Sequence, residues 1–254
     1  MLPEMNRATQ LALNAINQRF YAEIAAEWIE TRKYAWPGFE RILARMPATP
    51  SPEAPLRVLD LGCGDGRFAQ YLVERIEHLS YLGCDASSAL LAHANTRGLG
   101  PNFEFCHSDF VSTPASTAIP RGTFDLVCVL GVLHHVPGRA ARQQLLYELA
   151  SRVSPRGLLA VTIWRLTDDP RFTTRVVRFA DYNRTAAEPV ALDQLEPGDT
   201  LLRWGNGGAP ARYCHFPDAH ESEQLLGASA LRIVERFHAD GRGGRLNEYA
   251  LLAH

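Results

Sequence analysis

A chain of 254 residues, 46% of them hydrophobic and with a formal net charge of −2, can bury a sizeable core and has the composition of neither a fibrous nor a disordered protein. Its charge gives no overall attraction for a polyanion, so any contact with RNA has to be local. No run of about 18 apolar residues marks a membrane span and no leader-like start marks secretion, which sets the expectation of a cytoplasmic protein.

Residues 6 to 30 carry Leu13, Ile16, Phe20, Ile24 and Trp28 at helical spacing, which predicts an amphipathic helix. The stretch Thr31-Arg32-Lys33-Tyr34-Ala35-Trp36-Pro37 interrupts it, and a second helix is expected from Gly38 to Met46, followed by a linker over Pro47 to Pro55. Strands then alternate with helices: strand Leu56–Leu61, helix Phe68–Ile76, strand Leu79–Cys84, helix Ala89–Thr96, strand Phe103–Cys106. A loop over Ser112 to Gly122 leads to strand Phe124–Val129, a helix over Ala140 to Val153, the turn Ser154-Pro155-Arg156-Gly157 and strand Leu158–Trp164. Such alternation argues a parallel sheet covered on both faces. Arg165 to Leu202 is irregular and polar, as expected of a substrate cap, and strands Leu231–Phe237 and Leu246–Leu252 close the sheet as an antiparallel edge hairpin. The expected fold is therefore α/β and Rossmann-like. It is one domain over 1–254, with a helical extension (1–50), a core (56–164), a cap (165–226) and closing strands (231–254) of a mostly parallel seven-stranded sheet.

The chemistry concentrates at the first strand-to-helix crossing, Leu59-Asp60-Leu61-Gly62-Cys63-Gly64-Asp65-Gly66. Glycines there let a ligand approach the backbone. Asp85 ends the second strand, where a carboxylate accepts hydrogen bonds from ribose hydroxyls, and Asp109 ends the third beside Phe110, a flat ring for a base. Asp60, ahead of a Gly-x-Gly-x-Gly spacing, suits a positively charged amino-acid group better than a diphosphate. This block resembles the first motif of the class I S-adenosylmethionine-dependent methyltransferases. The resemblance implies S-adenosyl-L-methionine as cofactor, with Arg32, Asp60, Gly62, Cys63, Gly64, Asp85, Ala86, Asp109, Phe110 and Leu130 around it and Arg32 on its methionine carboxylate.

Leu130-Gly131-Val132-Leu133-His134-His135-Val136 follows the fourth strand, at the sheet edge where ligands bind, and makes His134 a candidate for positioning a substrate. No third ligand at suitable spacing makes these histidines a metal site, and the five cysteines, with no Cys-x-x-Cys pair, read as small core residues. Lys33 is the single lysine. Arg165, Arg171, Arg175, Arg178 and Arg184 form an arginine run able to grip phosphate or carboxylate, or else a solvated helix face.

Tyr21, Ile24, Ala25, Thr31, Arg32, Trp36 and Pro37, with Arg212, Tyr213 and His215 near the end, resemble the tRNA wobble-uridine carboxymethyl methyltransferases. Cys214 departs from that family, which often has a second tyrosine there, and so does the glycine-rich turn at 240–244. The resemblance implies tRNA as substrate, a small zinc-containing activator protein as partner, Arg212 on the acceptor carboxylate, Tyr213 and His215 on base or ribose, and Trp36 stacked on uracil. An apolar strip near Leu126 to Val129 is where exposure would suggest the activator. A small-molecule O- or N-methyltransferase remains the alternative on the same frame, and a non-catalytic partner-binding module a further one. The sequence leaves the oligomeric state open.

Overall fold

The computed structural model describes residues 4–47, 54–165, 170–205 and 210–254. Helix α1 runs from Arg7 to Glu30 with no glycine or proline to interrupt it, capped where Asn6 Oδ1 accepts the Thr9 amide, and it buries Leu13, Ile16, Phe20 and Ile24. Helix α2 (Gly38–Arg45) follows Pro37, and most of the expected linker lies outside the described residues.

Strand β1 (Leu56–Leu61) leads through helix α3 (Arg67–Val73) to β2 (Leu79–Asp85), helix α4 (Ser88–Thr96), β3 (Phe103–His107) and the short helix α5 (Ala115–Ala118). Then come β4 (Phe124–Val129), helix α6 (Arg139–Ala150) and β5 (Val153–Trp164). The chain continues with helices α7 (Pro170–Thr173) and α8 (Phe179–Asn183) either side of β6 (Val176–Val177), then β7 (Asp199–Arg203), β8 (Ala211–His215), helix α9 (Ala219–Gly227), β9 (Arg232–Ala239) and β10 (Asn247–Ala253). The main sheet has the order β3-β2-β1-β4-β5-β10-β9, parallel through β5 with β10 antiparallel to both β5 and β9, which is the mostly parallel seven-stranded, Rossmann-like sheet with an antiparallel edge hairpin that the alternation predicts.

Two expectations change. The turn over Ser154–Gly157 is absorbed into β5, and a register shift opposite Phe124 and Leu126 takes up the added length. The cap is not irregular throughout: β6, β7 and β8 form an antiparallel sheet, with β8 packed on α1, and its turn chemistry was masked by a polar composition. Leu126 to Val129 is wholly buried in the sheet centre, so β4 offers no apolar strip to an activator.

The cofactor-loop backbone depends on its glycines. Gly62, Gly64 and Gly66 have φ of 77°, 56° and 76°, and a β-carbon on Gly62 would stand 2.2 Å from Val132 Cγ2. Gly62→Ala is therefore expected to cost about 2 kcal/mol of stability in a denaturant titration and, if the loop holds the nucleoside cofactor that the resemblance implies, to weaken its binding at least tenfold.

Candidate active site

The carboxyl ends of β1, β2 and β4 open under α1 onto a cavity of about 600 Å³, at the point where strand order reverses between β1 and β4. All ten residues expected around a cofactor line it: Arg32, Asp60, Gly62, Cys63, Gly64, Asp85, Ala86, Asp109, Phe110 and Leu130. Each Asp85 oxygen holds a backbone amide, Oδ2 that of Gly64 and Oδ1 that of Ser87, both at 2.8 Å, so the β2 carboxylate shapes the glycine loop. Asp60 is 2% exposed and accepts the Tyr81 hydroxyl proton. Burial lifts its pKa to about 7; the neighbouring Asp85 adds to this, and the Tyr81 hydrogen bond and Arg67 oppose it.

Asp109 does more than line the cavity. Its Oδ1 accepts the Val111 and Ser112 amides at 3.0 and 2.9 Å, and its Oδ2 accepts Gln18 Nε2 at 2.7 Å and Asn14 Nδ2 at 3.1 Å. Burial alone would raise its pKa, but these hydrogen bonds hold it below the usual range. Asp109 thus fastens α1 over the cavity as well as lining it. Sequence reading missed Asn14 and Gln18, which look like ordinary polar positions of a helix.

The expected substrate residues separate. Trp36 and His134 line the cavity; Arg212, Tyr213 and His215 do not. Tyr213 turns its hydroxyl to Asp199 at 2.7 Å, and His215 lies wholly buried between Asp199 and Glu221, so neither meets a substrate from this position. Strand alternation explains the split, because Arg212 and Cys214 face one side of β8 and Tyr213 and His215 the other.

Arg212 lies immediately behind the cavity wall. Its guanidinium carbon is 5.0 to 5.6 Å from the rings of Phe20, Trp28, Trp164 and Trp204, and Trp28 and Trp164 line the cavity. It is 4% exposed, yet among the described residues Nε and Nη1 have no hydrogen-bond partner; neither have Trp164 Nε1 and His134 Nδ1 nearby. Arg32 stacks on Trp28 at 4.3 Å, with its pKa lowered to about 10 by burial and then by the charges of Arg67 and Arg212. Arg67 stacks on Trp36 at 4.8 Å, its Nη1 donates to the Tyr34 carbonyl at 3.4 Å, and its Nε has no partner among the described residues. Among the described residues none of these three arginines forms an ion pair, whereas Arg97, Arg142 and Arg165 are paired with Asp65, with Glu196 and Glu221, and with Glu248. Pairing of Arg165 with Glu248 and of Arg184 with Asp181 also breaks up the arginine run read from the sequence; the Arg171 side chain lies outside the described residues.

His134 stacks on Trp164 at 3.9 Å and 10°, and burial, with the charges of His135, Arg212 and His215, pushes its pKa well down. His135 is neutral for the same main reason, its pKa lowered to about 3. Nδ1 donates to the Tyr213 carbonyl at 2.8 Å and Nε2 accepts the Tyr21 hydroxyl proton at 2.9 Å. The fold does supply a third donor atom that the spacing did not reveal, since Cys214 joins His134 and His135 within 4.8 Å. Both nitrogens of His135 are already committed, however, and the Arg212 charge beside the three opposes a dication.

The fold and this cavity are those of a ligand site at the strand-order reversal of an open α/β sheet. A methyltransferase-domain model matches residues 58–157. Trans-aconitate 2-methyltransferase of Methylobacterium nodulans is 34% identical over 234 aligned residues, covering 79% of this chain and 85% of that one. The chain belongs to the class I S-adenosylmethionine-dependent methyltransferases, and S-adenosyl-L-methionine is its cofactor. The tRNA (carboxymethyluridine(34)-5-O)-methyltransferase of Mus musculus is 28% identical over 149 residues, covering 59% of this chain and 20% of that protein. A methyltransferase solved in complex with a methyltransferase activator of Haloferax volcanii superposes with a TM-score of 0.62 at 13% identity, covering 93% of this chain and 96% of that one, a likeness of fold.

The cradle fits the cofactor. Side-chain-free positions at Gly62 and Gly64, the unpaired Arg67 Nε and the buried Asp60 carboxylate complement a nucleoside carrying an amino acid.

Proposed function

We propose that this protein esterifies a carboxylate of a small anionic molecule, using S-adenosyl-L-methionine as methyl donor. The observation that carries this reading is the trio Arg32, Arg67 and Arg212, the first two lining the cavity and the third immediately behind its wall, none with an ion pair among the described residues while other interior arginines have carboxylates. A buried guanidinium without a counter-ion is costly, and an anionic ligand removes the cost. The cofactor has one carboxylate, for Arg32 or Arg67, which leaves the aromatic cage at Arg212 for the acceptor. In this assignment Asp60 takes the cofactor's ammonium, Asp85 its ribose hydroxyls, and Ala86, Asp109, Phe110 and Leu130 surround its base.

Bound, the cofactor supplies an electrophilic methyl group on sulfur. A carboxylate acceptor is already ionised near neutral pH, so no residue has to act as a strong base. This agrees with the surroundings, where His134 and His135 are neutral and burial raises the Tyr21 phenol pKa. The protein's part is to hold one carboxylate oxygen at a fixed place with little water, for which alignment supplies roughly 7 to 11 kcal/mol in favourable cases. Arg212, immediately behind the Trp28 and Trp164 rings, draws the carboxylate to that end of the cavity, the two tryptophans exclude water around it, and His134 and Trp36 bound its position. A cavity of about 600 Å³ falls in the range of about 300 to 1,000 Å³ of small-molecule sites.

The relatives support the carboxylate in two ways, because trans-aconitate and carboxymethyluridine both bear one. A small acceptor is favoured over the tRNA wobble base by the greater similarity to the trans-aconitate enzyme, the net charge of −2 and the pairing of Arg165 and Arg184. The tRNA reading, with a zinc-containing activator, rests on the mouse relative and the Haloferax complex. The test is transfer of labelled methyl to a panel of small di- and tricarboxylic acids including trans-aconitate, beside bulk tRNA lacking the ester, with and without the activator. Label in the acid panel is the expected result; label only in tRNA would replace this acceptor with the wobble base.

A further inference from the structure

We propose that His215 is a positioning residue for the acceptor end of the cavity, acting through β8 on Arg212; this rests on the reading of Arg212 as the carboxylate-binding group. His215 is 0% exposed, with Nδ1 2.7 Å from Asp199 Oδ1 and Nε2 3.0 Å from Glu221 Oε2. A carboxylate only accepts hydrogen bonds, so an imidazole ring between two of them carries a proton on each nitrogen.

The segments around β7, α6 and α9 contribute to one network with the ring, and His134 faces it from the cavity side. From β7, Asp199 Oδ1 also accepts the Tyr213 hydroxyl, and its Oδ2 accepts the Glu196 amide at 2.8 Å. From α6, Arg142 Nη2 donates to Glu196 Oε2 at 2.6 Å and to Glu221 Oε1 at 2.7 Å, and Arg139 Nε lies 3.9 Å from Glu221 Oε1. Glu221 itself comes from α9, where Asp218 caps the helix. Three carboxylates (Asp199, Glu196, Glu221) thus face two guanidiniums (Arg142, Arg139), and the imidazolium balances the third. On the active-site side, a void of about 10 Å³ is lined both by Arg142 and His215 of the network and by His134 and Trp164 of the cavity wall.

The consequence for the acceptor follows from β8. His215 and Tyr213 point into the network, and Arg212 and Cys214 point to the cage, so the imidazolium fixes the backbone that places the Arg212 guanidinium. Asn17 adds a second tie by accepting the Tyr213 amide at 2.8 Å. Burial opposes the charged ring, but the hydrogen bonds from His215 to Asp199 and Glu221 outweigh it and hold its pKa above the ordinary value. Loss of that proton puts a lone pair against a carboxylate oxygen and loosens β8. No substrate contact is involved.

The experiment measures KM and kcat against pH for the best acid of the carboxylate panel, in the wild type and in His215→Gln, Glu221→Gln and Arg212→Lys. The imidazole nitrogen resonances of His215, assigned by their loss in His215→Gln, are followed over the same pH range. The expected wild-type result is an acceptor KM that rises above neutral pH with the midpoint of the His215 resonance. Glu221→Gln should move that midpoint down, and His215→Gln should raise KM about tenfold and remove the limb, with kcat changed less than threefold and S-adenosylhomocysteine affinity unchanged. If Arg212→Lys raises KM but the wild-type KM is flat through the His215 transition, the positioning role is overturned and the carboxylate reading stands. If Arg212→Lys leaves KM unchanged, or no acid is methylated, the carboxylate reading fails and this proposal with it. Should His215→Gln not fold, the wild-type limb and its displacement in Glu221→Gln decide.

Discussion

Replacing Arg212 by lysine is expected to lower kcat/KM for a carboxylate acceptor by roughly 100-fold or more, while S-adenosylhomocysteine affinity changes less than about threefold. The asymmetry follows from placement. Arg212 lies behind Trp28 and Trp164, at the end of the cavity away from the glycine loop, and its partners are aromatic faces. Lysine keeps the charge but loses the planar guanidinium that stacks among four rings and offers several donors to one carboxylate. A hydrogen bond to a charged group contributes about 1.5 to 3 kcal/mol, so the loss of one or two guanidinium donors is the basis of the expected factor. Steady-state methyl transfer with a calorimetric titration of the variant checks both halves. Equal losses in cofactor affinity and turnover would place Arg212 in general support of the fold instead.

Asp60 carries the other large effect. Its pKa of about 7 means that a cofactor needing the ionised carboxylate binds more weakly in acid, with affinity falling about tenfold for each pH unit below 7. Asp60→Asn is expected to weaken binding by about 2 to 3 kcal/mol at pH 8 and to flatten this dependence. Stability moves the other way. An acid whose folded pKa lies above its unfolded value loses stability as pH rises from the unfolded pKa to the folded one, here from 3.8 to about 7. The ionised carboxylate therefore costs the cofactor-free protein stability at pH 8, and Asp60→Asn should melt higher there. Asp85 is shifted in the same direction by burial. The substitution isolates the Asp60 share. Adenosine, which lacks the amino-acid group, should bind with no such dependence on Asp60.

The cofactor half of the site was legible because its determinants are local. The glycine spacing after Leu59-Asp60-Leu61 forces a left-handed backbone at three positions, and carboxylates at strand ends fall on one sheet edge by topology alone. The acceptor half depends on contacts far apart in sequence. Arg212 meets Phe20 and Trp28 of α1, Trp164 at the end of β5 and Trp204 after β7, and no spacing rule joins those positions. The Arg-Tyr-Cys-His block illustrates the limit. Its residues looked like one substrate cluster, but a strand of the cap sheet turns alternate side chains to opposite faces, and only Arg212 of the three candidates is left beside the cavity. Arg67 was overlooked because the first residue of a helix after a glycine loop looks like an ordinary solvated cation. Its burial and its place over Trp36 appear only when Trp36 folds back onto the loop.

The claim that a carboxylate is the acceptor is tested most directly by the chemistry of the transferred methyl group. Product formed from methyl-labelled S-adenosylmethionine is treated with mild alkali, and volatile methanol is counted. Quantitative release of label as methanol, from small-acid product, is the predicted result, because a methyl ester hydrolyses under those conditions. Label that stays on the acceptor after alkali would mean an N-methyl or an ether product and would contradict the account.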